Sequence, residues 1–166
     1  MIRAIQSADW QGIDRVQRAS FPTSAIESME ALRSIAEAAA GMCAVAEIGG
    51  EVCGYLLAHP WIADDLPELN KPLASCPRSA DTLFIHDLAI LPYARGGGLA
   101  SRMVRHVVAA AVGIGIRKAA LISVQDTLEF WSRFGFVDRP ELTERFRARV
   151  ASFTEIPFQF MTAALA

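Results

Sequence analysis

The sequence contains few cysteines and lacks both a long apolar run and the apolar core of a secretory signal. Its three cysteines, Cys43, Cys53 and Cys76, are widely separated and have no histidine at metal-ligand spacing. This pattern argues against a disulfide framework and a structural zinc site and fits a reducing compartment. We therefore expect a cytoplasmic protein that binds no metal. The longest apolar stretch, residues 107–116, is interrupted by glycine and is too short to cross a membrane.

Charge is also sparse and nearly balanced. The chain of 166 residues has a formal net charge of -2, and its only concentration of basic residues is a set of scattered arginines in 139–149. This distribution indicates neither a nucleic-acid partner nor a membrane partner. Just over half of the residues are apolar, which predicts one globular domain over residues 1–166 with a core of ordinary size.

Hydrophobic periodicity predicts alternating strands and helices. Predicted strands cover 1–6, 42–48, 51–59, 83–91, 118–124, 136–137 and 152–163, and predicted helices cover 7–20, 26–39, 99–112 and 127–134. Residues 138–149 are polar and rich in arginine and are predicted as a loop. Residues 60–80 form a long connection, which in a domain of this size is usually functional or mobile. The order βααβββαβαβ, with a final strand after it, predicts an α/β fold with a mixed sheet and helices on both faces.

One stretch, residues 83–103, carries the strongest functional signal. It consists of an apolar strand ended by Pro92, a turn with three glycines at 96–98, and an amphipathic helix from Leu99. The glycines allow positive φ angles and a close approach of a ligand to the backbone. They stand just before a helix N-terminus, where unpaired N–H groups and the helix dipole favour an anion such as a phosphate.

Three phosphate-loop patterns compete for this turn. A Walker loop is excluded because Leu99 and Ala100, rather than Lys and Ser or Thr, follow Gly98. A dinucleotide fingerprint fits poorly, since its third small position is displaced and basic residues stand where an acidic residue is expected. The third pattern, R-x-x-G-x-A, is filled by Arg95, Gly98 and Ala100. A plain glycine-rich turn before a helix remains the alternative to all three.

Four local matches, in order along the chain, resemble the GNAT family of N-acetyltransferases. They are the opening strand and helix from Ile2, the strand Leu88-Ala89-Ile90 before Pro92, the loop Arg95-x-x-Gly98-x-Ala100, and the aromatic run from Phe130 to Phe136. The resemblance covers nearly the whole chain and implies a largely antiparallel mixed sheet. Within the family, the segments 58–61, 86–89 and 130–136 resemble most closely the arylalkylamine N-acetyltransferases.

The resemblance implies acetyl-CoA as the acetyl donor and direct transfer to a primary amine of a small molecule. In this family the glycine-loop amides hold the pyrophosphate and the central strand pairs with the pantetheine arm, with a bulge freeing an N–H for the thioester oxygen. The cofactor-binding residues implied in this way are Leu88, Ala89, Ile90, Arg95, Gly96, Gly97, Gly98, Leu99, Ala100 and Phe130.

Two residues are predicted at the catalytic centre, His86 and Trp131. A neutral imidazole near pH 7 can accept a proton from the amine, so His86 is the predicted general base; the alternative is a buried, hydrogen-bonded strand histidine. Asp87, the next residue along the strand, is expected to point to the opposite face. Trp131 stands where many family members carry a tyrosine that protonates the leaving thiolate. An indole N–H cannot give up its proton at useful pH, so the usual acid is missing.

The predicted substrate pocket consists of Phe21, Pro22, Tyr55 and Trp61. Their apolar surfaces suit an aryl or alkyl amine and would equally suit a core. Three alternative functions stay open at this stage. The first is acetylation of a protein N-terminus or lysine, or of an amino acid or antibiotic. The second is a non-catalytic domain that senses acyl-CoA, which the missing tyrosine motivates, and the third is a nucleotide-binding module unrelated to acetyl transfer. A homodimer is one candidate assembly.

Overall fold

The computed structural model describes residues 1–39 and 41–166, which form seven strands and five α-helices. The strands are β1 (Ile2–Ala4), β2 (Cys43–Ile48), β3 (Glu51–Trp61), β4 (Thr82–Ile90), β5 (Lys118–Val124), β6 (Val137–Asp138) and β7 (Phe158–Ala164). The helices are α1 (Trp10–Ser20), α2 (Met29–Ala38), α3 (Leu99–Gly113), α4 (Leu128–Ser132) and α5 (Pro140–Ala151). Within these described ranges, no helix has the length and apolar character needed to span a bilayer.

The strands belong to one sheet with the order β1-β2-β3-β4-β5-β7-β6. Neighbours pair antiparallel except β4 and β5, which are parallel. Side chains alternate between the two faces along a strand. On β3, Leu56 and Ala58 pack in a core cluster with α3, whereas Tyr55 and Leu57 pack in a second cluster with α1 and α2. The expected mixed, largely antiparallel sheet with helices on both faces is therefore confirmed.

Strand β4 changes its neighbours halfway along its length. Its first residues, from Thr82 to Ile85, pair with Lys118 to Leu121 of β5, and beyond Ile85 the two strands part. On its other side β4 stays paired with β3 as far as Ile90. The second half of β4 is thus held from one side only.

A β-bulge lies at the same place. Leu57 of β3 pairs with Asp87 and the next residue, Ala58, pairs with Ile85, so His86 is an extra residue on β4. A bulge of this kind bends its strand and increases the local twist. The bulge implied by the family resemblance is therefore present, and it lies at His86, ahead of the Leu88–Ile90 segment where we expected it.

The prediction of a loop over 138–149 was wrong, because most of this segment is α5. Proline is favoured at the first position of a helix, as Pro140 is here. Leu142, Phe146 and Val150 recur at four-residue spacing and are buried. The apolar periodicity was present in the sequence, and the many charged residues between its members obscured it.

Two other elements begin later in the chain than predicted, and both differences affect the site. Helix α2 begins at Met29 because Ser28 caps it, the Ser28 hydroxyl accepting a hydrogen bond of 3.1 Å from the Ala31 N–H. The preceding residues, predicted as helix from 26, are therefore free to form a loop. Strand β7 begins only at Phe158, directly after Pro157, which has no N–H to donate to a ladder.

The packing of α1 on the sheet depends on a glycine. A Cβ added to Gly12 would lie 2.8 Å from the Cβ of Val52 on β3, closer than two such atoms approach. Val52 is β-branched and anchored in a strand, so it has little freedom to move away. Gly12 therefore allows α1 to lie against β3 at this distance.

We expect Gly12→Ala to lower the free energy of unfolding by about 1–3 kcal/mol, the usual cost of overpacking a core. Gly113→Ala is the matched control, because Gly113 also lies in a helix but an added Cβ would meet no atom within 4 Å from the described residues outside its own stretch of helix. There the substitution should stabilise the protein by up to about 1 kcal/mol. Urea unfolding of both variants measures the difference, and equal effects would contradict the close packing of α1.

Candidate active site

A cleft of about 990 Å³ opens where β4 and β5 part. One wall is the second half of β4 with the glycine turn and the start of α3, and the other is the end of β5 with α4. Phe21, after α1, and Phe153, after α5, lie at its border. Beyond Ile85 the backbone of β4 has no ladder partner in β5, so its N–H and C=O groups can pair with an extended ligand laid along the strand.

The glycine turn continues this wall. Gly96 and Gly98 have φ angles of +85° and +72°, a backbone conformation that other residues rarely adopt. Gly98 precedes α3, and no side chain caps the helix, so the first N–H groups from Leu99 onward are without helical partners. Chain neighbours aside, a Cβ added at Gly96 or Gly97 would meet no atom of the described residues within 4 Å, so space borders the turn there.

Two arginines fix the shape of the turn. Arg95 Nε donates to the Ile90 carbonyl oxygen at 2.8 Å, and Arg102 Nη1 donates to the Gly97 carbonyl oxygen at 2.9 Å. Arg95 also lines the cleft. A free strand edge, unpaired amides and a guanidinium group along one wall fit the pantetheine arm and pyrophosphate of acetyl-CoA. When bound, that molecule supplies the acetyl group as a thioester.

His86 lies at the bulge and forms a buried pair with Glu27. Its side chain is 3% exposed, and Nε2 lies 2.7 Å from Oε1 of Glu27. Among the described residues Nδ1 is buried and has no hydrogen-bond partner. Burial by itself would lower the pKa of His86, but the Glu27 carboxylate outweighs it and the pKa is raised. Burial opposes ionisation of Glu27 too, and the charge and hydrogen bond of His86 nevertheless keep its pKa below the usual value.

The sequence analysis did not identify Glu27, although several contacts fix its place in the cleft wall. Its backbone N–H donates to Gln17 Oε1 at 2.8 Å, and Gln17 Nε2 donates to its carbonyl oxygen at 3.2 Å. The Asn70 N–H donates to its second carboxylate oxygen, Oε2, at 2.7 Å. Asn70 also accepts a bond of 2.7 Å from the Ser28 N–H. The long connection between β3 and β4 therefore supports the cleft, and no local pattern in the sequence indicates this.

Asp87 also lines the cleft, contrary to the expectation that it would face away from His86. The two-residue alternation behind that expectation fails at a bulge. The Tyr55 hydroxyl donates to Oδ2 of Asp87. Burial raises the pKa of Asp87 to about 7, while the bond from Tyr55 works in the opposite direction.

Tyr55 and Trp61 are not where the sequence analysis placed them. Tyr55 is fully buried in the core beneath α1 and α2, because its hydroxyl finds an acceptor in Asp87, and it does not line the cleft. Trp61 packs edge-on against His59, with ring centroids 5.5 Å apart, and also lies outside the lining. The His59 ring is 6.2 Å from that of His86, and burial lowers the pKa of His59 to about 4, so it is neutral at pH 7.

Trp131 lines the cleft and packs in an aromatic cluster. It is 7% exposed, and its ring lies 4.9 Å from that of Phe130 and 5.7 Å from that of Phe136. The Trp131 side chain therefore packs in the aromatic cluster and also lines the cleft. A catalytic role for Trp131 stays a prediction.

Most of the predicted site residues come together in the cleft. Its lining includes Phe21, His86, Leu88, Ala89, Ile90, Arg95, Gly96, Gly98, Leu99, Ala100, Phe130 and Trp131. Four predicted residues lie outside the lining, namely Pro22, Tyr55, Trp61 and Gly97. The lining also contains residues that the sequence analysis did not assign to a site, among them Ser20, Glu27, Leu69, Gln125, Thr127 and Phe153.

A family model described as the acetyltransferase (GNAT) family matches residues 8–136. This match covers well over half of the chain, and the chain therefore belongs to the GNAT acetyltransferase family. Enzymes of this class take acetyl-CoA as donor, which agrees with the strand edge and glycine turn described above. The family and cofactor expected from the sequence are confirmed. A search of curated protein sequences finds no match.

Solved structures show the same fold. N-acetylglutamate synthase from Neisseria gonorrhoeae, complexed with coenzyme A and N-acetyl-glutamate, is 24% identical with a TM-score of 0.70, over 100% of this chain and 35% of that one. A GNAT acetyltransferase from Brucella melitensis, in complex with acetyl-CoA, is 20% identical with a TM-score of 0.62, over 100% and 88% of the two chains. A GNAT-like decarboxylase in complex with isobutyryl-CoA is 15% identical with a TM-score of 0.76, over 100% of both chains. The comparisons do not support the arylalkylamine subtype.

The hydrogen bond from Tyr55 to Asp87 leads to a prediction about the pKa of Asp87. In Tyr55→Phe the Asp87 carboxylate loses a hydrogen bond that favours its charged form, so its pKa should rise above about 7. Carbon NMR titration of the aspartate carboxyl groups measures this value. Tyr93→Phe is the control, because Tyr93 is 65% exposed and is the only other tyrosine of the chain. An Asp87 midpoint that stays in place or falls in Tyr55→Phe would contradict the assignment.

Proposed function

We propose that this protein transfers an acetyl group from acetyl-CoA to the primary amine of a small, largely apolar molecule. The observation that supports this most directly is the makeup of the cleft. A wall suited to acetyl-CoA carries His86, whose Nδ1 is buried and without a hydrogen-bond partner among the described residues, and the rest of the cleft is mostly apolar.

Two contacts draw the border of the cleft together. Gln125 Nε2 donates to the carbonyl oxygen of Ser20 at 3.2 Å. The hydroxyl groups of Ser24 and Thr154 lie 3.3 Å apart. The end of α1 is thereby connected to the turn after β5, and the loop after α1 to the connection after α5. A compact amine needs less space at such a border than a polypeptide does, which supports a small-molecule acceptor over a protein N-terminus.

The apolar part of the lining supports an acceptor with an aryl or alkyl group. Apart from β4, the start of α3 and α4, it includes Phe21, Leu69, Ile122, Phe153 and Ile156. Sites that bind small molecules are generally lined by such side chains, with a few polar groups that set orientation. The arylalkylamine subtype itself remains a prediction from the sequence.

His86 is the residue that we assign as proton acceptor. An amine resembling that of lysine has a pKa near 10 and is mostly ammonium at pH 7, so it must lose a proton before or during attack on the thioester. A raised pKa makes His86 a stronger base. It also means that the neutral form of the ring predominates only at a pH above its usual range.

The test is an acceptor panel with acetyl-CoA, monitored by release of free thiol. The panel contains arylalkylamines, alkylamines, glutamate, a peptide with a free N-terminus and a lysine peptide. We expect the highest kcat/KM for a small apolar amine. Preferred turnover of either peptide would contradict the small-molecule assignment. Binding of acetyl-CoA without turnover of any acceptor would favour the sensor alternative.

We expect His86→Gln to lower kcat/KM for the best acceptor by about 10²–10⁴-fold, the usual contribution of a general base. Acetyl-CoA should still raise the unfolding temperature of the variant. His106→Gln is the control, since His106 is exposed on α3. In the unmodified protein, kcat/KM calculated for the free-amine form of the acceptor should rise with pH to a plateau, with a midpoint above 6.5, because only the neutral ring accepts a proton. A turnover unaffected by His86→Gln would overturn the base assignment.

A further inference from the structure

The unassigned feature of the cleft is the buried carboxylate of Glu27 against His86. Resting on the proposed function, we propose that Glu27 is a positioning residue that fixes the His86 ring with its hydrogen on Nε2, so that Nδ1 is the atom that takes the proton of the acceptor amine. Glu27 acts through His86 and does not itself contact the acceptor.

The direction of the hydrogen bond follows from the chemistry of its two partners. An ionised carboxylate can only accept, so the Nε2···Oε1 contact of 2.7 Å requires the hydrogen to be on Nε2 of His86. In the neutral ring the other nitrogen then carries a lone pair. Nδ1 is buried and without a partner in the described part of the chain, and His86 lines the cleft. Nδ1 is thus the ring nitrogen whose lone pair is not already used, and a reactant must displace the groups that bury it in order to reach it.

The hydrogen bonds of Glu27 explain why it positions the general base, His86, and is not itself the general base. Both of its carboxylate oxygens are engaged, Oε1 by His86 and Oε2 by the Asn70 N–H at 2.7 Å. Its backbone is held by Gln17 on α1 through two further bonds. Contacts from α1 and from the long connection therefore fix the carboxylate, and through it the plane of the imidazole ring.

The other titratable groups near His86 act in different ways. Asp87, on the same strand, adds a smaller favourable charge interaction to that of Glu27. His59, on β3, is neutral at pH 7, and the Tyr55 hydroxyl is hydrogen-bonded to Asp87. Glu27 is the one of these groups that is hydrogen-bonded to the ring, so we expect its removal to have the largest effect on the basicity of His86.

This arrangement accounts for each proton that moves during the acetyl transfer. The acceptor enters as the free amine after its ammonium proton has gone to water. As the amine nitrogen bonds to the acetyl carbon, one N–H proton moves to Nδ1 and the imidazolium is stabilised by Glu27. The carbon–sulfur bond breaks, the thiolate takes up that proton, and His86 returns to its neutral form. The products are the amide and the free thiol.

The first test is spectroscopic and needs neither a cofactor nor a variant of Glu27. Long-range proton–nitrogen NMR spectra of the full chain report which ring nitrogen of each histidine carries the hydrogen. The chain has three histidines, and His59→Gln and His106→Gln identify the remaining signal as His86. We expect His86, above its titration midpoint, to be the Nε2–H form. The Nδ1–H form would overturn the proposal.

The second test compares Glu27→Gln with Glu30→Gln, an exposed residue three positions further along whose substitution removes the same charge. Glu27→Gln should lower the NMR midpoint of His86 by about one pH unit or more, because an opposite charge is lost. The acidic limb of kcat/KM, again calculated for the free amine, should move to lower pH by the same amount, and the plateau should fall about tenfold as the base weakens. The KM for acetyl-CoA should not change. Glu27→Asp should recover part of the shift.

The outcomes separate this inference from the proposed function. An unchanged His86 midpoint in Glu27→Gln, or a change equal to that in Glu30→Gln, overturns the role of Glu27 even if small amines are acetylated. If His86 shows the expected tautomer and the expected change of midpoint but no amine is acetylated, the role of Glu27 towards His86 stands and the proposed function is overturned. If Glu27→Gln does not fold, the tautomer in the unmodified chain still decides the arrangement.

Discussion

The parting of β4 from β5 after Ile85 is the constraint on which the rest of the site depends. Within a sheet, each backbone N–H and C=O is satisfied by a neighbouring strand, and an unpaired edge is an open template for another extended chain. Here that edge lies in the middle of a seven-stranded sheet. On its two sides, β4 is paired with β3 and β5 is paired with β7. The cleft therefore has rigid walls, and the edge of β4 within it suits an extended ligand.

The bulge at His86 also determines which side chains of β4 face the cleft, close to the point where β4 and β5 part. Because one extra residue enters β4, His86 and Asp87 both line the cleft although they are neighbours on a strand. Their environments then differ sharply. His86 meets an ionised carboxylate, which favours its charged form, whereas burial favours the neutral form of Asp87. Both environments favour the protonated form, so two neighbouring groups in one wall have raised pKa values for different physical reasons.

What could be predicted from the sequence is what lies close together along the chain. The strand, glycine turn and helix of residues 83–103 are contiguous, so local rules of hydrogen bonding and backbone freedom were sufficient. Glu27 and Asn70 come from distant segments, and their meeting with His86 depends on tertiary packing that no local pattern records. Tyr55 illustrates a different limit. An aromatic residue with a hydroxyl group suits both a pocket and a core, and only the position of Asp87 decides between them.

The tryptophan at 131 is compatible with the ion-paired histidine at 86. A tyrosine acid, with a pKa near 10, is needed where nothing else in the site can return a proton to the leaving sulfur. An imidazolium is a stronger acid than a phenol, and under the proposed function it forms when His86 takes the proton of the amine. On that proposal the site does not depend on a hydroxyl at position 131. Trp131 is then free to serve packing, which its contacts with Phe130 and Phe136 indicate.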